Sequence, residues 1–146
     1  MKRPAILFAS LLISLMTLGP AWASDGCLEL TKAAMDGNTQ RAKQIIASGV
    51  SVNCSFTDSH VNEDSGEVYT HTSTPLNIAA GEGYLNTVRF LLSQGANVNM
   101  RDGDGHTPLY NVDDLLFFLE MMWADDDEFE EAEAIYHLLK QAGGVM

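Results

Sequence analysis

The chain has 146 residues with 8 basic against 20 acidic side chains, giving a formal charge of −12, and 46% of it is apolar. That acidity excludes nucleic acid and anionic lipid as partners, since both require a basic footprint. It favours a basic protein partner or serves solubility alone, and the length leaves room for one domain with a modest core.

Met1-Lys2-Arg3 places positive charge ahead of the apolar run Ala5 to Leu18, and Ala21-Trp22-Ala23 supplies a small-x-small pattern. Residues 1-23 therefore read as a cleavable signal peptide with cleavage after Ala23. The apolar run is shorter than the ~20 residues that span a bilayer core, so no membrane segment is expected after cleavage. Ser24-Asp25-Gly26 is a poor lipobox for acylating Cys27. The expected mature chain, 24-146, lies in the periplasm or outside the cell. Losing Lys2 and Arg3 leaves 6 basic against 20 acidic residues, or −14.

Residues 28 to 53 contain Ala33-Ala34-Met35-Asp36-Gly37-Asn38 and then Ile45-Ile46-Ala47-Ser48-Gly49-Val50-Ser51-Val52-Asn53. An insertion follows over about 55-73, with β-formers on either side of Glu63-Asp64-Ser65-Gly66, and it predicts a lengthened β-hairpin. His60 and His71 with Asp58, Asp64 and Glu67 lack the tight ligand spacing of metal sites, so this segment reads as a solvated polar hairpin. Thr74 then caps a helix with Pro75 at its first position, where the missing N–H is harmless. Leu76, Ala79 and Ala80 recur at helical spacing, and Gly81-Glu82-Gly83 ends the helix. A second helix is predicted from about Leu85 to Gln94, with Leu85, Val88, Leu91 and Leu92 as its stripe and Gly95 at its C-terminal cap.

Thr74-Pro75-Leu76-Asn77-Ile78-Ala79-Ala80, the mid-unit glycines, and Gly95-Ala96-Asn97-Val98-Asn99 together resemble one complete ankyrin repeat, with Asn77 in place of the usual histidine. The earlier stretch resembles a second copy with a worn entry. Gly37 to Gly49 and Gly83 to Gly95 are both 12 residues apart. Thr31 takes the histidine's place there, which leaves inter-repeat hydrogen bonding at that position open. The two copies are 46 apart, against ~33 in the family, which leaves about 13 residues for the hairpin insertion.

Arg101-Asp102-Gly103-Asp104-Gly105-His106-Thr107-Pro108-Leu109-Tyr110 resembles the entry of a third repeat. Its aspartates read as a turn, because the third acidic position and the distal glutamate of a calcium loop are missing. Thr107 to Gly143 spans 36 steps, whereas Thr74 to Gly95 spans 21, so about 15 residues are expected between this repeat's helices, within about 113-128. Leu115 to Trp123 continues the first helix with apolar residues on most sides, and the second helix runs from about Glu128 to Gln141. Phe117, Phe118, Met121, Met122 and Trp123 form either a private sub-core under that second helix or a contact surface.

The resemblance implies an all-α ankyrin-repeat solenoid of about three helix-pair repeats (27-54, 72-99, 105-144) with β-hairpin connections. It implies protein binding as the function, with no cofactor, no metal and a monomeric chain. Carried over by position, the partner-facing residues are Met35, Asp36, Ser73, Glu82, Arg101, Asp104 and His106; if the run from Phe117 is a contact surface, Trp123 is its aromatic anchor, beside the acidic turn Asp125 to Glu128. Cys27 sits just before the first helix and Cys54 on the neighbouring hairpin, along one edge of such a stack. In an exported chain they are a disulfide candidate pair, closing a loop worth roughly 3.6 kcal/mol; the alternative is two unpaired thiols. No serine elbow, H-E-x-x-H, phosphate loop or Cys-His spacing is present, so no enzyme is expected. An adaptor or support protein for an exported partner is the first functional reading, and an immunity or inhibitor protein against a secreted toxic enzyme the second.

Overall fold

The computed structural model describes residues 23 to 146; the signal-peptide expectation falls on residues outside them, apart from Ala23. Six helices and one hairpin follow in order: α1 (Ala23–Met35), α2 (Thr39–Ala47), β1 (Phe56–Val61), β2 (Val68–Ser73), α3 (Pro75–Gly81), α4 (Leu85–Ser93), α5 (Pro108–Met122) and α6 (Asp126–Gln141). Each helix pair is antiparallel, α3 packs between α1 and α5, and α4 between α2 and α6. The chain is thus mostly helical, in two layers, with the hairpin inserted between the first and second pairs.

Local chemistry accounts for the helix starts. The Thr74 and Thr107 hydroxyls accept hydrogen bonds from the backbone N–H groups of Asn77 and Tyr110, and proline occupies the first turn in both helices. The ends are marked by glycines at positive φ, Gly37, Gly83, Gly95 and Gly143 among them. At Gly37 a Cβ would also meet the Tyr84 ring at 2.6 Å, so the first turn can lie against the second repeat only without a side chain.

Small residues bring the layers together. Ala34, Ala79, Ala80, Leu76, Val88, Leu91, Leu109, Val112, Ile135 and Leu139 form one buried cluster across the three pairs, and Leu30, Ala33, Ala42 and Ile45 a second beneath the first pair. Asparagines lock the repeats in register. Asn53 Nδ2 donates to the Gly95 carbonyl (3.1 Å) and Asn99 Nδ2 to the Gly143 carbonyl (3.1 Å). The Asn53 and Asn99 Oδ1 atoms accept from the Asn97 and Val145 N–H groups (2.6 and 2.9 Å). This recurrence marks Gly143 as the closing glycine of the third repeat despite its greater length.

Three expectations are corrected. Cys27 lies inside α1, buried, because the helix begins at Ala23 rather than after the cysteine. The second helix of the third pair starts at Asp126, two residues early, with acidic residues filling its first turn where the helix dipole favours them. The extra residues of the third repeat do not form a segment between its helices. They lengthen both, α5 having 15 residues against 7 in α3 (15 − 7 = 8) and α6 having 16 against 9 in α4 (16 − 9 = 7). Because Thr74 and Thr107 are equivalent starts, α5 overhangs α3 at its C-terminal end by about 12 Å.

The overhang is flanked by α6 but by no helix of the preceding pair, and it carries the run for which a sub-core and a contact surface were both open. The sub-core is not formed: Phe117 (63% exposed), Phe118, Met121 (61%), Met122 and Trp123 (94%) all face solvent, while Leu119 alone in that run turns inward. Trp123 caps α5 in the left-handed conformation, φ 52 and ψ 46. Among the described residues it is the only one other than glycine with positive φ.

Candidate functional site

The hairpin positions one wall of a cleft. In the β1–β2 register Phe56 pairs with Ser73, Asp58 with His71 and His60 with Tyr69, and side-chain alternation sets these on one face. At its base the Gly103 N–H donates to the Thr72 carbonyl (2.7 Å), and the His71 Nδ1 lies 3.7 Å from Asp104 Oδ2. The hairpin is thereby tied to the entry loop of the third repeat, while its tip from Val61 to Val68 is exposed.

Between this wall and the helices α3 and α5 lies an open cleft of about 420 Å³, lined by His71, Ser73, Asn77, Ile78, Gly81, Glu82, Asp102, Asp104, Asn111, Asp114, Leu115 and Phe118. Among the described residues four carboxylates face it and no lysine or arginine does. A second cleft of about 310 Å³ lies under the α5 overhang, between Glu82, Gly83, Tyr84, Leu115, Leu119, Glu128 and Glu131. Glu82 and Leu115 border both, so the two form one acidic, partly apolar surface.

Asp102 is structural within it. Its Oδ1 accepts from the backbone N–H groups of Asp104 (3.1 Å) and His106 (2.8 Å), and its Oδ2 from the Asn111 amide (3.3 Å). Burial pushes this carboxyl up, but the His106 N–H, the Asn111 amide and the Asp104 N–H together hold it below its ordinary value. Asp102, Asp104 and His106 bring ligand-type atoms within 4.8 Å of one another. The Asp102 oxygens serve as a turn clasp, as the turn reading of this loop anticipates.

The residues expected to face a partner are only partly gathered. Glu82 and Asp104 are exposed on the cleft. Ser73 lines its floor but is buried, sharing a 2.8 Å hydrogen bond with His71 Nε2; it is no surface position, because the last residue of β2 turns into the stack. Arg101 is exposed, with its guanidinium donating to the Gly105 and Met146 carbonyls. His106 is half-buried and stacked on Tyr110, with ring centroids 4.0 Å apart. Met35 and Asp36 are exposed at the end of α1, and Trp123 at the end of α5; none of the three lines either cleft. Sequence reasoning missed Asp114 and Leu115 as cleft residues and named Phe118 only with the apolar run, although the i, i+4 spacing of Asp114 and Phe118 on the predicted first helix is the signal that joins them. Cys27 and Cys54 are joined in a disulfide with Cα atoms 5.9 Å apart.

The family described as "Ankyrin repeats (3 copies)" matches residues 30–111, ending inside α5 before the overhang. Rabankyrin-5 of Mus musculus is 39% identical over 87 residues, 58% of this chain and 7% of its own length. A putative ankyrin repeat protein of Rickettsia bellii is 32% identical over 94 residues, 57% of this chain and 39% of its own. The human protein phosphatase 1 regulatory subunit 27 is 30% identical over 101 residues, 69% of this chain and 54% of its own. This chain thus spans well under two thirds of each of these relatives. Among solved structures, the human ASB11 ankyrin repeat domain superposes with a TM-score of 0.54 at 25% identity over 80% of this chain and 40% of its own. A Bdellovibrio bacteriovorus predatory endopeptidase in complex with an immunity protein gives 0.53 at 24%, covering 80% and 47%, and so shares the fold alone. With a match over more than half its length and its closing asparagines and glycines bonded repeat to repeat, the chain belongs to the ankyrin-repeat family.

Proposed function

We propose that this chain is a protein-binding module that works outside the cytoplasm as an adaptor or support protein for an exported, basic partner, which it holds in the cleft between the hairpin, α3 and α5. The observation that carries the reading is the cleft itself: open, bordered by Glu82, Asp102, Asp104 and Asp114, and free of lysine and arginine among the described residues. A surface of one sign steers an oppositely charged protein and rejects others. The family's repeats serve protein interaction, and in this cleft Ser73 Oγ, though within hydrogen-bond distance of His71 Nε2, is buried. Export is supported by the Lys2-Arg3 start, the apolar run and Ala21-Trp22-Ala23, and by the Cys27–Cys54 bridge, which suits an oxidising compartment.

Immobilised protein and its Glu82→Lys/Asp104→Lys variant, challenged with periplasmic extract and culture supernatant, test the reading. A protein retained by the parent and lost from an equally stable variant supports it, and equal retention by both overturns it. The immunity or inhibitor role is the second reading, favoured by the acidic cleft beside a projecting hairpin, a shape suited to covering a basic enzyme surface. Inhibition of the captured partner's activity, with the two genes adjacent, would select that role.

A further inference from the structure

We infer that the outward face of α5 is a docking surface for a cationic amphipathic helix of a partner protein. The inference rests on the chain being a protein-binding module, but it concerns the outward face of α5, whose apolar stripe shares only Phe118 with the hairpin cleft. Tyr110, Phe117 and Met121 recur at i, i+7 and i+11, and Phe118 and Met122 lie one residue further on, so they form one stripe opposite the buried Leu109, Val112 and Leu119. Over its C-terminal half α5 is therefore apolar on two faces, and among the described residues only one is covered. The stripe's continuous part runs from Phe117 to Trp123, 6 residue steps or about 9 Å, and the exposed Asp113 and Asp114 occupy the turn between it and Tyr110, so acid edges the apolar face on its N-terminal side as well. Trp123 stands at its end, 94% exposed and in a backbone conformation costly for a residue with a Cβ. An exposed indole held in such a conformation fits an anchor better than a cap.

Charge selects the occupant. Ten of the chain's 20 acidic residues lie between Asp113 and Glu133, on α5, the turn and α6, and no lysine or arginine occurs between Arg101 and Lys140. A second copy would set these carboxylates against each other, and an anionic lipid surface would be repelled. An apolar stripe flanked by lysines or arginines matches both the face and its rim.

The test uses the full chain carrying Trp22→Phe, which leaves Trp123 as the only tryptophan. It is titrated with a synthetic leucine–lysine peptide of roughly five helical turns and with a scrambled peptide of the same composition. The expected result is a saturable blue shift of Trp123 emission with the amphipathic peptide, at least tenfold weaker binding by the scrambled one, and at least tenfold weaker binding by Phe117→Glu/Met121→Glu. Phe117→Ala/Met121→Ala, which adds no charge, is expected to weaken binding in the same direction. Circular dichroism confirms that both variants fold, as their exposure predicts. No shift, or equal binding of the two peptides, overturns the inference. So does a shift that follows protein concentration alone, which assigns the face to self-association, or one that requires prior removal of residues 1–22, which assigns it to this chain's own leading segment. Because the cleft reading is tested by Glu82→Lys/Asp104→Lys, either proposal fails without the other.

Discussion

Thr31 and Asn77 occupy the same place in successive repeats and show what a single side chain decides. Asn77 is buried, and its Nδ2 reaches across to the His106 carbonyl at 2.9 Å, standing in for the family's histidine. Thr31 is also buried, and its hydroxyl has no hydrogen-bond partner among the described residues, since its side chain is too short to cross to the next repeat. An unpaired buried hydroxyl costs on the order of 1 kcal/mol, so Thr31→Val is expected to raise the thermal midpoint by that equivalent. Asn77→Ala should lower stability by about 1–3 kcal/mol, because it leaves the His106 carbonyl unpaired and opens a gap. Calorimetry on both variants checks the pair, and a lowered midpoint for Thr31→Val would mean that the hydroxyl is satisfied. Asp102 adds a pH dependence. Its folded pKa is held below the unfolded value, so its stabilisation is fully present above the ordinary aspartate pKa of about 4 and is lost as pH falls through the lower folded value. Asp102→Asn should therefore lose stability at neutral pH and show a shallower decline in acid, measured by denaturant unfolding across that range.

Among the elements, the hairpin and the α5 overhang depart most from a plain repeat, and they differ in what they contribute. From Thr57 to His71 the hairpin is exposed and adds nothing to either buried cluster. Replacing residues 57 to 71 with a short turn should leave the helical circular dichroism spectrum and cooperative unfolding intact, while removing one wall of the cleft and weakening partner retention. Unfolding of the shortened chain would show that the hairpin base carries the stack. The disulfide ties α1 to the loop before β1, a 27-residue separation that the chain-entropy argument values at roughly 3.6 kcal/mol. Cys27→Ala/Cys54→Ala should accordingly lose several kcal/mol in denaturant unfolding, with the loss concentrated in the first repeat, whose small cluster of Leu30, Ala33, Ala42 and Ile45 has the fewest other supports. At the overhang, Trp123→Gly relieves the left-handed strain and should stabilise the chain by about 1 kcal/mol while weakening peptide binding. Opposite signs in those two measurements would separate an anchor from a cap.

For the whole molecule, the charge of −12 sets the conditions of binding. Association with a basic partner should slow as salt rises while dissociation changes little, because long-range steering is screened and short-range apolar contact is not. An association rate unaffected between low and physiological salt would place the energetics in apolar contact alone. The repeat architecture was legible from the chain by itself, since Thr-Pro at helix starts, glycines at helix ends and apolar residues at helical spacing are local requirements met within each unit. The turn role of Asp102 and the hairpin over the 55-73 insertion were legible for the same reason. Other properties depended on which residues of distant segments meet. Ser73 is buried because the strand's end turns into the stack, Cys27 lies inside α1 rather than ahead of it, and Phe117 and Met121 are exposed because, with Tyr110, they lie on the α5 face opposite its buried one. Periodicity reports that a helix face is apolar, and only the tertiary structure, by the presence or absence of a neighbouring helix, decided whether that face is core or surface.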